Sequence, residues 1–208
     1  LENTVSFVTP YLESKDVSIV DIGCGLVVQL TNFKKFGYTN LLGVDPSIFC
    51  INTLEEKFDI KGAQGSLSDE TLLGDEKFDV ITLTGVLEHI YDLEPVMQNI
   101  SRMSEKNDGL ILIEVPDVNR YSDFSDIPFQ DFNLEHINHF SPISLQNIMS
   151  KHGFETIKLL QQDVAISESH LTPAITALFK RRTETQKTTI QVDIDIQERL
   201  QKYIEKSN

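Results

Sequence analysis

The chain has 208 residues, with 32 acidic and 18 basic side chains and a formal charge of −14 at pH 7. That field disfavours a nucleic-acid partner, because such affinity comes largely from Lys and Arg set against phosphates. Cys24 and Cys50 are too few for a disulfide scaffold and too far apart for a CxxC metal site. No run approaches the ~18 apolar residues of a membrane span, and no signal peptide is visible, so the expected setting is cytoplasmic.

In chain order, short β-branched runs alternate with longer amphipathic ones, which predicts βαβ units and a mainly parallel sheet. The apolar runs are Ile19 to Ile22, Leu41 to Val44, Val80 to Leu83 and Leu110 to Val115. Each is nearly continuous, as expected for strands covered on both faces. Between them, Leu30 to Phe36, Ser47 to Lys57 and Pro95 to Met103 carry apolar residues at helical spacing. Gly37 reads as a helix C-terminal cap, Asp45-Pro46-Ser47 as a helix start, and Lys106 to Gly109 as a turn. From Asp117 to Asn138 the periodicity fails, which predicts a lid or substrate loop. A helix is expected from Ser141-Pro142 to about His152, closed by Gly153, then strands over Glu155 to Leu160 and Ala174 to Phe179. Lys180-Arg181-Arg182 reads as a solvated strand end. The organisation expected is a domain over 1–182 and an extension over 183–208, with a strand at Thr188 to Ile196 and a helix at Gln197 to Lys206. That extension could pack on a neighbouring element or on a second subunit, giving a homodimer.

Val20-Asp21-Ile22-Gly23-Cys24-Gly25 ends the first strand and opens the first helix. Glycines there allow close backbone approach to a ligand and positive φ angles. Asp45, twenty residues beyond Gly25, closes the next strand, where a carboxylate can accept hydrogen bonds from both hydroxyls of a ribose. A dinucleotide site would want G-x-G-x-x-G, but Val28 stands at the final glycine position, and Asp21 would repel a phosphate. A ligand with a cationic or zwitterionic end fits better.

Val20 to Gly25 followed by Leu41-Leu42-Gly43-Val44-Asp45-Pro46-Ser47 resembles the first two motifs of class I S-adenosylmethionine-dependent methyltransferases. The later order is similar too: Gly65-Ser66-Leu67, Phe78 to Ile81, Val86-Leu87-Glu88-His89 and Gly109 to Pro116, so the likeness runs over about residues 15 to 180. It implies a doubly wound, Rossmann-like α/β sheet, mainly parallel with an antiparallel strand at the C-terminal edge. It implies S-adenosylmethionine as cofactor, with S-adenosylhomocysteine as product. Asp21, Gly23, Cys24 and Gly25 would surround the methionine part, and Asp45 and Pro46 the ribose. Ser66 and Leu67 would border the adenine, with Leu87 and Glu88 near the sulfonium. Many members carry glycine at the position of Val27 and an acid at that of Ser66; the first change tightens the loop, and the second removes a contact to the adenine amino group.

Methyl transfer needs alignment, exclusion of water and, for some acceptors, a base. His89 stands at the carboxyl edge of the sheet, where ligands bind. Asn133 to Ser141 places His136 and His139 beside Glu135, which suggests a polar pocket with a proton acceptor working near neutral pH. Three such groups crowded into one turn make a poor metal set, and no metal is expected. The stretch resembles one in methyltransferases acting on sugars, although Asn133 stands where those commonly carry a Tyr. The expected function is methylation of a small polar acceptor, such as a sugar or glycan precursor, with His136, oriented by Glu135, as base or substrate clamp. The alternatives are a catalytically silent cofactor- or partner-binding domain, and an NAD-dependent oxidoreductase, which calls for G-x-G-x-x-G and a Tyr-x-x-x-Lys pair.

Overall fold

The computed structural model describes residues 4–26, 28–69, 71–104, 109–124, 129–167, 170–182 and 190–208. Val27, the turn at Lys106 to Asp108 and the first part of the tail, residues 183–189, lie outside the described residues.

Five parallel strands form one side of the sheet: β1 (Ile19–Ile22), β2 (Leu41–Asp45), β3 (Lys61–Gln64), β4 (Val80–Thr84) and β5 (Leu110–Pro116). A hairpin of β6 (Phe154–Ser167) and β7 (His170–Arg181) completes it in the order β3-β2-β1-β4-β5-β7-β6, with β7 antiparallel to both neighbours. The sheet is therefore mainly parallel with antiparallel pairing at its C-terminal edge, as the sequence predicts. The order reverses between β1 and β4, and the crevice at that switch point is where open α/β sheets bind ligands.

Near-continuous apolar strands follow from cover on both faces. Val20, Ile22, Ile81, Leu83, Ile111 and Ile113 pack against α4 (Leu93–Met103) and α5 (Pro142–Lys151). Ile19, Val80, Leu110 and Leu112 point the other way, against α1 (Thr4–Val8), α2 (Val28–Lys35) and α3 (Ile48–Phe58). The period of two along each strand thus divides one apolar run between two cores. Ser47 caps α3, Asp92 caps α4, and Ser141 with Ser144 forms a reciprocal capping box at α5.

Gly43 in β2 shows how closely α3 is laid on the sheet. A Cβ there would come within 2.4 Å of Leu54 Cδ2 and 2.9 Å of Cys24 Sγ. Gly43→Ala is expected to lower the unfolding free energy by about 1–3 kcal/mol through overpacking. Urea denaturation at constant m-value measures it; an unchanged midpoint would mean that α3 shifts without cost.

Two expectations are corrected. The runs at Glu155 to Leu160 and Ala174 to Phe179 are the inner parts of strands of 14 and 12 residues. Their polar extension is held by pairing that reaches Ser167 and His170, and Pro173, paired with Asp163 just past the last β5 pair, accepts from the Asp117 amide. The strand expected up to Ile196 is not present over Ile190 to Asp195: Ile190, Val192 and Ile194 are exposed, and Asn147 instead exchanges hydrogen bonds with the Gln191 backbone. The final helix, α6 (Ile196–Ser207), packs on a 3-10 helix at Val118–Asp123, where Tyr203 is buried against Tyr121 and Val118. Among the described residues no helix is long and apolar enough to cross a membrane.

Candidate active site

The glycine loop leaves β1 at the switch point. Gly23 and Gly25 adopt φ of +68° and +46°, and the amides of Gly23 and Cys24 both donate to the Val44 carbonyl. A Cβ on Gly23 would fall 2.7 Å from Val86 Cγ2, so position 23 demands glycine for space as well as for conformation. Cys24 is buried, and burial pushes its thiol up to about 12, which leaves it a packing residue and not a nucleophile.

Asp45 stands beside this loop. Its Oδ2 accepts from the Gly25 amide at 3.0 Å and its Oδ1 from the Ser47 amide at 2.8 Å. Each carboxylate oxygen keeps a further lone pair, so the group can still receive two hydroxyls. Asp21 is 3% exposed and accepts a 2.5 Å hydrogen bond from Thr82 Oγ1 on the adjoining strand. Burial raises its pKa to about 7, with the Asp45 charge adding to the effect. Between the ordinary carboxylate range and pH 7 the native state therefore holds a proton that the unfolded chain has released. The contribution of Asp21 to stability falls as pH rises through that window and is constant above it. Asp21→Asn is expected to flatten this slope in urea unfolding between about pH 5 and 8; an unchanged slope would assign it to another group.

The other residues named for the cofactor lie around the same edge. Pro46 is exposed, and its carbonyl accepts from Gln64 Nε2. Ser66 is half-buried with its hydroxyl accepting from the Ser68 amide, while the Leu67 side chain is in the core and its carbonyl accepts from Asn99 Nδ2. Leu87 is fully buried, and Glu88 is buried in the 3-10 turn Leu87–His89 after β4.

Next to this turn is a cavity of about 350 Å3, the size of a small-molecule site. Its polar lining includes Thr84, Glu88, Glu114, Asp131, Asn133 and His136. Burial raises the pKa of both Glu88 and Glu114, and Glu114 accepts from Thr176 Oγ1 at 2.7 Å. The segment carrying His136 is tied to the turn: the Ile137 and Asn138 amides donate to the Glu88 carbonyl, and Asn138 Nδ2 donates to the carbonyls of Leu87 and Ile90. His89 and His136 thus stand with ring centroids 5.1 Å apart, although 47 positions separate them in the chain. Burial lowers the His136 pKa and His89 lowers it further, so the imidazole is neutral and able to accept a proton.

Two neighbours of His136 are placed differently from expectation. The Glu135 side chain is exposed, and what it offers the site is its carbonyl, 2.9 Å from His89 Nδ1. His139 turns away into an aromatic cluster with Phe132 and Tyr121, its Nδ1 3.1 Å from the Tyr121 hydroxyl. Glu114, Asp131 and Asn138 escaped the sequence reading. Only Glu114 left a signal, a carboxylate inside the apolar run Leu110 to Val115. A Tyr-x-x-x-Lys spacing does occur at Tyr11 and Lys15, but ahead of β1, with Lys15 Nζ over the Tyr38 ring, and so at the sheet edge opposite the glycine loop.

A family model described as a methyltransferase domain matches residues 2–159. The chain belongs to this methyltransferase family. This methyltransferase domain also superposes on solved structures of low identity. One is a SAM-dependent methyltransferase from Methanosarcina mazei, with a TM-score of 0.69 and 16% identity over 86% of this chain and 98% of that one. Another is the YcgJ protein of Bacillus subtilis, with a TM-score of 0.65 and 14% identity over 88% of this chain and 100% of that one. At such identity they speak for the fold. No curated protein matches the sequence.

Proposed function

We propose that this methyltransferase domain transfers a methyl group from S-adenosylmethionine to a small, hydroxyl-bearing polar acceptor, a sugar or glycan precursor being the class that fits best. The observation that carries the reading is the adjacency of two sites. The glycine loop and Asp45 meet at the switch point, and Gly23 packs on Val86, next to Gly85 and Glu88 in the wall of the acceptor cavity.

The chain's groups fit the cofactor: a cradle of Gly23, where a Cβ would strike Val86, and Gly25, both at positive φ, a carboxylate at Asp45 with capacity for two ribose hydroxyls, and a buried acid at Asp21 suited to a cationic amino-acid end. Ser66 and Leu67, following β3, would flank the base, and the buried Leu87 and Glu88 would form the floor. S-adenosylmethionine, when bound, supplies an electrophilic methyl on a positively charged sulfur. The protein aligns the acceptor and excludes water. Glu88, Asp131 and Asn133 offer hydrogen-bonding atoms to acceptor hydroxyls, and the neutral His136 accepts the proton lost as the acceptor is methylated.

Calorimetric titration with S-adenosylhomocysteine, NAD in parallel, is the direct test. Binding of the first alone supports the reading and leads to acceptor screening; binding of NAD alone overturns it. Self-association through the tail is a separate proposal, supported by the exposed Ile190, Val192 and Ile194. Light scattering on a chain ended at Arg182 tests it, and an unchanged mass removes it.

A further inference from the structure

Three electron-pair donors from two segments converge at the cavity: Glu88 and His89 in the turn after β4, and His136 in the loop folded over it. One ligand atom of each lies within 4.8 Å of the others. How each is held narrows what they can do. The Glu135 carbonyl can only accept, so His89 Nδ1, 2.9 Å away, carries the hydrogen. In a neutral ring Nε2 then has a free lone pair, and it stands 4.0 Å from Glu88 Oε1. The His136 ring is hydrogen-bonded to the Asp131 backbone, and its buried Nδ1 has no partner. Glu88 is 97% buried, the complement of its 3% exposure, and its Oε2 has no partner either. With both rings neutral and Glu88 ionised, three acceptors face one another with no donor among them, an arrangement that a cation satisfies.

We propose that Glu88, His89 and His136 form a binding site for a divalent transition-metal ion of the manganese-to-zinc series, with its remaining coordination positions open to the acceptor cavity. Two imidazoles and one carboxylate suit such ions, whereas magnesium and calcium prefer oxygen alone. Metal–ligand distances of roughly 2.0–2.2 Å are reached from the observed spacing by small side-chain rotations. Backbone carbonyls on the far sides of histidine rings are the outer-shell support that metal-bound imidazoles use to fix tautomer and direction. The ion would also supply a countercharge to the buried Glu88. Glu88 and His136 both line the cavity, so an acceptor hydroxyl entering it would meet the open positions and be held there. With an ion bound, His136 is a ligand and no longer takes the acceptor's proton itself. The set differs from the crowded Glu135, His136 and His139 of the sequence: it keeps only His136 and adds two residues from a distant turn.

The test is titration of tag-free, EDTA-treated protein with Co2+, read by visible d–d absorption and by displacement with Zn2+. The expected result is one saturable band that Zn2+ bleaches. Glu88→Gln, His89→Ala and His136→Ala should each weaken Co2+ binding by more than about tenfold, and His139→Ala should leave it unchanged. Circular dichroism checks the fold of each variant, and His89→Ala, at an exposed ring, decides the matter if the buried Glu88→Gln fails to fold. S-adenosylhomocysteine titration of the same samples separates loss of the ion from loss of the cofactor site. Absence of a band at millimolar Co2+, or a band retained in His89→Ala and His136→Ala, overturns the proposal.

Discussion

In metal-free protein, replacing His136 by alanine is expected to lower kcat by about 10²–10⁴-fold, the usual contribution of a positioned proton acceptor. KM for S-adenosylmethionine should change little, because His136 lines the acceptor cavity while the glycine loop and Asp45 form the other side of the crevice. The metal-free wild type should also show an acidic limb in kcat below the ordinary imidazole range, since burial and His89 both lower the His136 pKa. That limb should disappear in the variant. Steady-state kinetics across pH with an acceptor found by screening makes the measurement. A loss under tenfold with the limb intact would reduce His136 to an anchor of its loop.

Asp45→Ala carries the second large expectation, a rise of about 10²-fold or more in the dissociation constant of S-adenosylhomocysteine. Hydrogen bonds to a charged group are each worth about 1.5–3 kcal/mol, and two ribose hydroxyls would lose them together. The same carboxylate fixes the Gly25 and Ser47 amides, so the substitution also loosens the glycine loop. Asp45→Asn keeps one accepting oxygen and should fall between wild type and alanine. Calorimetry on all three proteins reads the series. Binding within threefold of wild type for the alanine variant would place ribose recognition elsewhere.

The fold was legible wherever local chemistry and tertiary structure agree. Ile19 to Ile22 carries β-branched residues between a polar turn and a glycine loop, and it forms a strand over that same span. Ser141-Pro142 announces α5 because capping is a property of a few consecutive residues. The hairpin was under-read for the opposite reason. Gln161, Gln162 and Asp163 look like a loop, yet their side chains are spent on Asp117, Glu114, Thr176 and Arg120, partners far away in sequence. The alternating tail failed likewise: Ile190, Val192 and Ile194 have the strand pattern, but they line no sheet edge. In the site, the glycines and Asp45 were visible because a tight loop and the carboxylate that fixes its amides demand particular residue types at fixed spacing. The meeting of His136 with Glu88 and His89 was not, because backbone bonds from Ile137 and Asn138 make it and these leave no trace in composition.

Asp131, in the cavity wall, is held by the hydroxyl of Tyr203, 72 positions further along the chain, and Lys206 reaches back to the Ser122 carbonyl. The two halves of the crevice are thereby built on different schedules. During synthesis the glycine loop and Asp45 need only β1 to β4, whereas the cavity wall waits until β6, β7 and α6 have emerged. In the finished molecule the same asymmetry makes α6 a latch: any binder that captured its inner face would unlace the cavity wall and leave the cofactor half standing.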